Sequence, residues 1–415
     1  MLPDSPERPD DFVPATQSEL SRVVAENFAG AQQALYPVGG RTALNYGYPV
    51  RAAGITVSTS RLVDIIDYPA RDMTVTVEAG LRMDELAAIL KNERQQLPID
   101  VPQSNRATLG GITATNTSGP RRFGYGTLRD YLIGISAVDA RGRLFRAGGR
   151  VVKNVAGYDL CKLLVGSLGT LAVLTQMTLK LKPLPESTAI VWASFKTLAQ
   201  IDCTLEQMLT SATRPVALEV LNPQAAKQIA AESRQYLPAV RPVLAVSIEG
   251  SQRETRWQIE ALKQELSSPA PQQIEVVYDK QATQLLEALT EYQAYSDDPL
   301  TFQANLLPSK TLEFIENATQ IGASVQAHAG NGIVIGHLPD DVVTVEKAAE
   351  LLTPLRSFAR QHRGNLVIFN CETQWKQHLP VFGEPESSHR LMQQLKSTLD
   401  PQNLLNPGLF FNGAG

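Results

Sequence analysis

Three glycine-rich segments in the first half of the chain carry the residue types needed to grip a phosphate group. They are Pro37-Val38-Gly39-Gly40-Arg41-Thr42-Ala43-Leu44, Ala107-Thr108-Leu109-Gly110-Gly111-Ile112-Thr113-Ala114-Thr115-Asn116 and Gly166-Ser167-Leu168-Gly169-Thr170-Leu171. A diphosphate is held by several converging backbone N–H groups, and a chain presents them only where no side chain blocks the approach. Glycine pairs flanked by small hydroxyl residues meet that need. Either pair alone reads equally well as a hairpin turn or a polar surface loop; the three in this order point to a bound diphosphate cofactor.

Other chemistries fail on inspection of their residues. Gly124-Tyr125-Gly126-Thr127-Leu128-Arg129 begins as G-x-G-x-x-G but ends on arginine, where a dinucleotide fold needs glycine to pack helix on strand. No Gly-Lys dipeptide exists, so there is no P-loop, and neither H-E-x-x-H nor G-x-S-x-G occurs. Cys161, Cys203 and Cys371 are odd in number and far apart, which excludes a disulfide framework and supplies no ligand set for zinc or an iron–sulfur cluster. No metal site is expected.

The elements around the glycine segments follow from periodicity. Leu20, Val23, Val24 and Phe28 recur at helical spacing over 16–29, and a short strand at 34–38 leads into the first segment. Strands are expected at 55–58 and 73–78, a helix at 84–92, a strand at 131–138 running through a turn at 139–142 into a hairpin, a short helix at 157–165, and a strand over the alternating stretch 171–182. Beyond a proline-marked boundary at 181–186 the chain mixes strands (189–195, 243–249, 274–278, 332–337, 366–369) with helices (198–211, 254–266, 281–290, 344–362, 386–398). Residues 1–185 hold 18 of the 28 glycines, whereas all five histidines lie from His328 onward, so the two halves have different tasks.

Composition sets the frame. The 415 residues suffice for two or three domains, and 43% hydrophobic with 19% charged residues is ordinary for a globular protein. A net charge of −4 gives no electrostatic case for nucleic acid or an anionic membrane surface. No apolar run approaches the length of a transmembrane helix, and the acidic, proline-rich start lacks a signal peptide's basic and apolar regions. Cytoplasmic residence is the expectation.

The glycine segments, in their order, resemble the FAD-binding domain of the vanillyl-alcohol oxidase or p-cresol methylhydroxylase (PCMH) type flavoproteins. In that family the first segment wraps the FAD diphosphate, the A-T-x-G-G segment lies along diphosphate and flavin, and an aromatic-Gly-x-x-x-x-Asp stretch (here Phe123 to Asp130) and G-S-x-G-T-L complete the pocket. The resemblance implies an α+β fold: a tail at 1–15, a two-part FAD-binding domain at 16–186, and a cap domain at 187–415, also α+β, with an antiparallel sheet. It places non-covalent FAD against Val38, Gly39, Gly40, Arg41, Thr42, Ala43, Pro102, Thr108, Gly110, Gly111, Thr113, Ala114, Asn116, Ser118, Gly119, Gly169 and Val173. Arg41 stands where covalent members place the flavin-linked histidine. It reads either as a charge partner for the phosphates or as a solvent-facing side chain.

The segment Val152-Lys153-Asn154-Val155-Ala156-Gly157-Tyr158-Asp159-Leu160 and the C-terminal Leu399-Asp400-Pro401-Gln402-Asn403-Leu404-Leu405-Asn406-Pro407-Gly408 resemble the glycolate oxidase branch of the family. Catalytic members of that branch carry H-x-G-D-G-N-x-H at the substrate site. Here the stretch reads His328-Ala329-Gly330-Asn331-Gly332-Ile333-Val334-Ile335, so Asn331 replaces the acid, Ile333 the amide and Ile335 the second histidine. A site built on two imidazoles cannot form from one. His328 is left as the sole catalytic candidate, as a ligand contact or as a structural residue.

The resemblance therefore implies an FAD-bearing glycolate oxidase subunit that converts glycolate to glyoxylate. Its partners would be a second FAD-binding glycolate oxidase subunit and an iron–sulfur subunit, the complex lying peripheral to the inner membrane. Two alternatives stand beside it: a self-sufficient D-2-hydroxyacid (D-lactate) dehydrogenase, and an assembly subunit without catalysis. The stretch Asn370-Cys371-Glu372-Thr373-Gln374-Trp375-Lys376 would line a pocket or a subunit contact if Trp375 is displayed, and the core if it is buried.

Overall fold

The computed structural model describes residues 11–50, 52–149, 159–295, 297–385 and 387–410. The chain divides into two compact units that are not contiguous in sequence. One comprises Met1–Thr117, Thr127–Leu184 and Glu384–Gly415; the other comprises Ser118–Gly126 and Pro185–Gly383. A division at residue 186 is thus crossed twice, by Ser118–Gly126 and by the C-terminal segment, and hydrogen bonds account for both crossings.

The first unit is built on a five-stranded antiparallel sheet in the order Ile65–Asp67, Thr74–Glu78, Val173–Lys180, Leu132–Val138, Leu144–Gly148. Beside it, Ala34–Val38 pairs in parallel with Gly54–Ser58. The helix Gln17–Ala29 is capped by Thr16, whose hydroxyl accepts from the Glu19 N–H. Its Leu20 and Val24 are buried with Leu35, Val57, Val138, Val173 and Leu405 in one cluster.

Leu405 enters that cluster because the C-terminal segment returns to this unit. The Leu35 N–H donates to the Leu404 carbonyl at 2.7 Å and the Asn406 N–H donates to the Leu35 carbonyl at 3.0 Å. The Asp400 carboxylate, 1% exposed, fixes this return by accepting the N–H groups of Leu404 (2.9 Å) and Leu405 (2.7 Å). Lys396 pairs with Asp400 and donates as well to the carbonyls of Thr170 and Leu405. Burial pushes the Lys396 ammonium below its ordinary pKa against the pull of Asp400.

The second unit carries an eight-stranded sheet with every neighbouring pair antiparallel. Its order is Gln273–Tyr278, Ser187–Ser194, Val243–Gly250, Ala217–Leu221, Ser324–His328, Ile333–His337, Leu300–Asn305, Asn365–Cys371. The helices Pro223–Glu232 and Asp279–Glu291 share a core with one face, where Ile229, Leu285 and Leu289 join Ile190, Trp192 and Val243. On the opposite face Phe302 meets Phe314 of the helix Thr311–Gln320, and Phe314 meets Phe358 of the helix Val345–Gln361. Trp375 is 6% exposed, so it belongs to the core.

Most expected elements form within a residue or two of their expected bounds. Four elements absent from the sequence reading also form, Pro223–Glu232, Leu300–Asn305, Thr311–Gln320 and Ser324–His328, and three other departures have physical causes. Ala217–Leu221 is buried at every residue and so shows no alternation. Ala107–Asn116, read as a loop, instead contains the helix Leu109–Thr115, capped by the Thr108 hydroxyl and ended by Asn116 in left-handed backbone (φ 54°). Glycine and threonine form helices poorly, and here the two caps and tertiary packing override that preference. The expected helix at 157–165 is observed as Leu160–Leu164, with residues 157 and 158 outside the described set.

Removing one member of a buried ion pair leaves the other uncompensated. Asp400→Ala should therefore destabilise the first unit by about 3 kcal/mol or more, read as an earlier transition in urea unfolding. The thiols give a second check. Burial pushes both Cys161 and Cys371 up to about 11, whereas Cys203 is exposed. At pH 8 a thiol reagent should label one cysteine of the native protein quickly and the other two only after denaturation.

Candidate functional site: a cofactor cradle and a buried carboxylate–histidine pair

The three glycine segments converge within the first unit, and the glycines make the convergence possible. A Cβ on Gly39 would lie 2.1 Å from the Thr108 hydroxyl, and one on Gly40 only 1.7 Å from the Arg106 carbonyl oxygen. The first segment thus rests directly on the backbone that leads into the Leu109–Thr115 helix. A Cβ on Gly110 would press against Ala79 at 2.9 Å. Gly111 differs, because its Cβ would meet only the Thr108 hydroxyl, at 3.3 Å.

The third segment docks on the far end of the same helix. The Gly166 N–H donates to the Thr113 carbonyl at 3.0 Å and the Leu168 N–H to the Ala114 carbonyl at 2.8 Å. Gly169, in left-handed backbone, approaches Pro37 and the Asn406 amide. That amide donates to the Leu168 carbonyl at 2.8 Å, so the C-terminal return braces the third segment as well as the first strand.

Each residue expected at the cofactor has a definite place. Val38 is buried and its carbonyl accepts from Thr59; Thr42 and Ala43 lie in the turns that follow. Arg41 takes left-handed backbone (φ 57°) and is half-buried. Pro102 is buried in the segment before Arg106. Thr108 caps the helix through Gly111, and the Thr113 hydroxyl is used internally, donating to the Leu109 carbonyl at 2.7 Å. Val173 is a core residue. Ser118 and Gly119 fall in the second unit, where Ser118 accepts from Arg122. Asp130 accepts from Thr127 and so caps the helix Leu128–Tyr131. The stretch 152–158 lies outside the described residues.

Whether this junction suits a polar ligand can be tested on its own atoms. Asn116 Oδ1 and Ser167 Oγ are both buried without a hydrogen-bond partner, on the two segments that meet at the end of the helix. Each orphan costs about 1–3 kcal/mol, a cost that a polar ligand laid along the junction would remove: the Ser167 hydroxyl can donate to a phosphate oxygen, and Asn116 Oδ1 can accept from a ligand hydroxyl or N–H. The residues present therefore fit FAD, which carries both kinds of group.

The second unit holds the histidine site. His328 is 2% exposed and shares its Nδ1 proton with both carboxylate oxygens of the fully buried Glu219, at 2.8 and 2.9 Å. The sheet brings them together, since Glu219 and His328 are register partners on neighbouring strands. Gln326 Nε2 also donates to Glu219, at 2.7 Å. A carboxylate that accepts from Nδ1–H fixes the tautomer and turns Nε2 outward as an acceptor.

The short helix Arg122–Tyr125 is bolted to this unit. Arg121 pairs with the buried Glu249 at 3.1 Å, Tyr125 donates its hydroxyl proton to the same carboxylate at 2.7 Å, and the Gly124 N–H donates to the Val216 carbonyl. The Phe123 ring would lie 2.3 Å from a Cβ on Gly330, so a side chain at that position of the His328 segment would displace the ring.

Ile333 and Ile335, at the positions of the missing amide and second histidine, are 7% and 2% exposed and join the apolar core. His337 lies on the same sheet face, held by Asp298 at 2.9 Å and packed edge-on against Tyr292 at 4.6 Å. His328 pairs with Ile333, so His337 stands four residues, about 14 Å, further along the strand. The two imidazoles cannot share a metal ion. Glu219 escaped sequence reading because nothing local marks it; only strand register places it beside His328.

Cradle and fold define a PCMH-type FAD-binding oxidoreductase. A FAD binding domain matches residues 11–148, and the C-terminal domain of FAD linked oxidases matches 184–359 and 384–409; the chain belongs to the FAD-linked oxidases and its cofactor is FAD. The chain is similar to D-lactate dehydrogenase from Anaerostipes hadrus, with 26% identity over 97% of this chain and 89% of that one. It is 37% identical to glycolate oxidase subunit GlcE from Escherichia coli over 34% of this chain and 40% of that one. The fold is that of alkyldihydroxyacetonephosphate synthase, with a TM-score of 0.68 at 19% identity over 95% of this chain and 75% of that one. The second C-terminal match, 384–409, falls on the segment that returns to the first unit.

Two glycine variants separate packing from ligand contact. Gly40→Val collides with the protein's own Arg106 carbonyl and should lower both thermal stability and flavin content. Gly111→Val meets little of the protein, so flavin absorbance should fall while the apoprotein melts within a few degrees of the wild-type apoprotein. Full flavin content in purified Gly111→Val would remove Gly111 from the cofactor site.

Proposed function

We propose that this protein is the FAD-binding subunit of a glycolate oxidase-type complex and oxidises a 2-hydroxy acid, glycolate to glyoxylate in the first instance. The observation that carries the reading is the single-histidine site: Glu219 and His328 are in place, while Ile335 fills the second histidine's position and Ile333 the amide's with core side chains. The GlcE likeness falls on the cofactor-binding part and supports the same assignment. Bound FAD would accept the hydride that leaves the substrate α-carbon. The chain's part is to hold FAD between its glycine segments and to receive the substrate hydroxyl proton at His328 Nε2, with Glu219 stabilising the imidazolium that results. The three separated cysteines cannot build a cluster, so electrons leave to an iron–sulfur partner.

A second reading has its own support. The buried Glu219–His328 pair with Nε2 unbonded is a complete proton acceptor, and the D-lactate dehydrogenase likeness runs along 97% of the chain. On this reading the protein is a self-sufficient D-2-hydroxyacid dehydrogenase.

Purification from the native source separates the two. Co-elution with a second flavoprotein and an iron–sulfur protein is expected. A protein that elutes alone and turns over D-lactate with a dye acceptor would replace the first reading with the second. In either case His328→Ala should slow flavin reduction by roughly 100-fold or more at unchanged flavin content, the usual scale for a lost general base. An unchanged rate would place the chemistry elsewhere.

A further inference from the structure

Beside the Glu219–His328 pair stands a buried amide that packing does not explain. Gln326 lies two residues before His328 on the same strand, so both side chains point to one face of the sheet. Its register partners are Leu221 on one side and Ile335 on the other, both members of the apolar core. Gln326 is 0% exposed, as is Glu219.

Only half of the amide is satisfied. Nε2 donates to Glu219 Oε2 at 2.7 Å, whereas Oε1 is buried with no hydrogen-bond partner. Turning the amide over gives no relief, because Oε1 would then face the carboxylate oxygen, acceptor against acceptor. An unpaired buried carbonyl oxygen costs free energy that an apolar side chain of the same length would not incur. What the amide contributes at this position is its one bond to Glu219.

That bond bears on the histidine. Among the described residues the Glu219 carboxylate accepts from two side chains, His328 Nδ1 and Gln326 Nε2, and forms no ion pair with a lysine or arginine. A buried carboxylate stays ionised where N–H groups bond to its charged form. While it is ionised, the imidazole hydrogen sits on Nδ1 and Nε2 remains an acceptor. Without the Gln326 donor the pair takes one proton from water: the carboxyl O–H turns to Nδ1, and the ring hydrogen is carried on Nε2. The imidazole then presents a donor where a base is required.

We propose that Gln326 is a positioning residue for the oxidation: its amide keeps the Glu219–His328 pair in the one tautomer that can accept the substrate's hydroxyl proton. The proposal rests on His328 acting as the base, as argued above, and adds that three residues rather than two make that base.

The test uses the FAD-loaded full chain carrying Gln326→Met, which keeps the side chain's length and removes both the bond and the orphaned oxygen; Gln326→Leu is the second variant should the first fail to fold. Flavin content should be unchanged and the melting temperature within about 4 °C of wild type, since the lost bond and the relieved oxygen offset each other. Flavin reduction by glycolate or D-lactate should nonetheless slow by about 10-fold or more, the scale on which partners of a functional histidine's carboxylate act. Proton–nitrogen spectra of isotope-labelled histidines supply the readout that packing alone would not move. The His328 signal, identified by its loss in His328→Ala, should report hydrogen on Nδ1 in the wild type and on Nε2 in the variant. Hydrogen on Nε2 already in the wild type, or an unchanged tautomer in a folded variant, overturns the proposal; a slowed His328→Ala would at the same time keep the general-base reading intact. If His328→Ala reduces flavin at the wild-type rate, that reading falls and the proposal falls with it.

Discussion

Backbone meets backbone without an intervening side chain at the centre of the cofactor-holding unit, and the rest of that unit is arranged around the contact. Gly39 and Gly40 lie against Arg106 to Thr108 so closely that any Cβ would strike a carbonyl or a hydroxyl. At Gly40 this close approach cannot be relieved by a rotamer change, because the obstructing Arg106 carbonyl belongs to the main chain. The first glycines are therefore needed for the protein to fit itself before they serve any ligand. Of the two glycine pairs, Gly111 is the least crowded, its Cβ meeting only the Thr108 hydroxyl at 3.3 Å, which suits a phosphate neighbour.

The second constraint is the chain's return. Asp400 organises the last described segment by accepting two backbone N–H groups and an ammonium, and that segment then brackets Leu35 and grips Leu168. One buried carboxylate thus ties the strand before the first glycine segment to the third glycine segment. The C-terminal motif that looked like a family signature in sequence is a clasp on the cofactor unit, and Gly169 and Asn406 meet within it.

In the second unit the organising fact is strand register. Glu219, His328, Ile333, Asn305 and Asn365 come from five strands spread over some 150 residues, yet they stand in one row. The row is polarised: a buried carboxylate–imidazole pair at one end, neutral amides at the other, and an isoleucine between. Ile335 one pleat away is part of the core, so a single imidazole stands in this part of the row, its ring held by a carboxylate at Nδ1.

Much of the cofactor unit was legible from sequence because its signals are local. Glycine pairs, hydroxyl caps, alternation over 171–182 and helical spacing over 16–29 each act within a few residues, and the PCMH-type resemblance rests on the same contiguous segments. The short helix Leu109–Thr115 was hidden because its residues disfavour helix and its caps are side chains whose roles depend on geometry. The sequence by itself determined FAD chemistry, the loss of one of two histidines and the absence of a cysteine cluster, since residue identity alone decides what a site can ligate. Only the tertiary structure decided that Glu219 holds His328, that Ser118–Gly126 is bolted to the second unit and that the segment 400–406 closes the first. Those facts are set by hydrogen bonds and strand register between residues far apart in the chain, and no local preference encodes them.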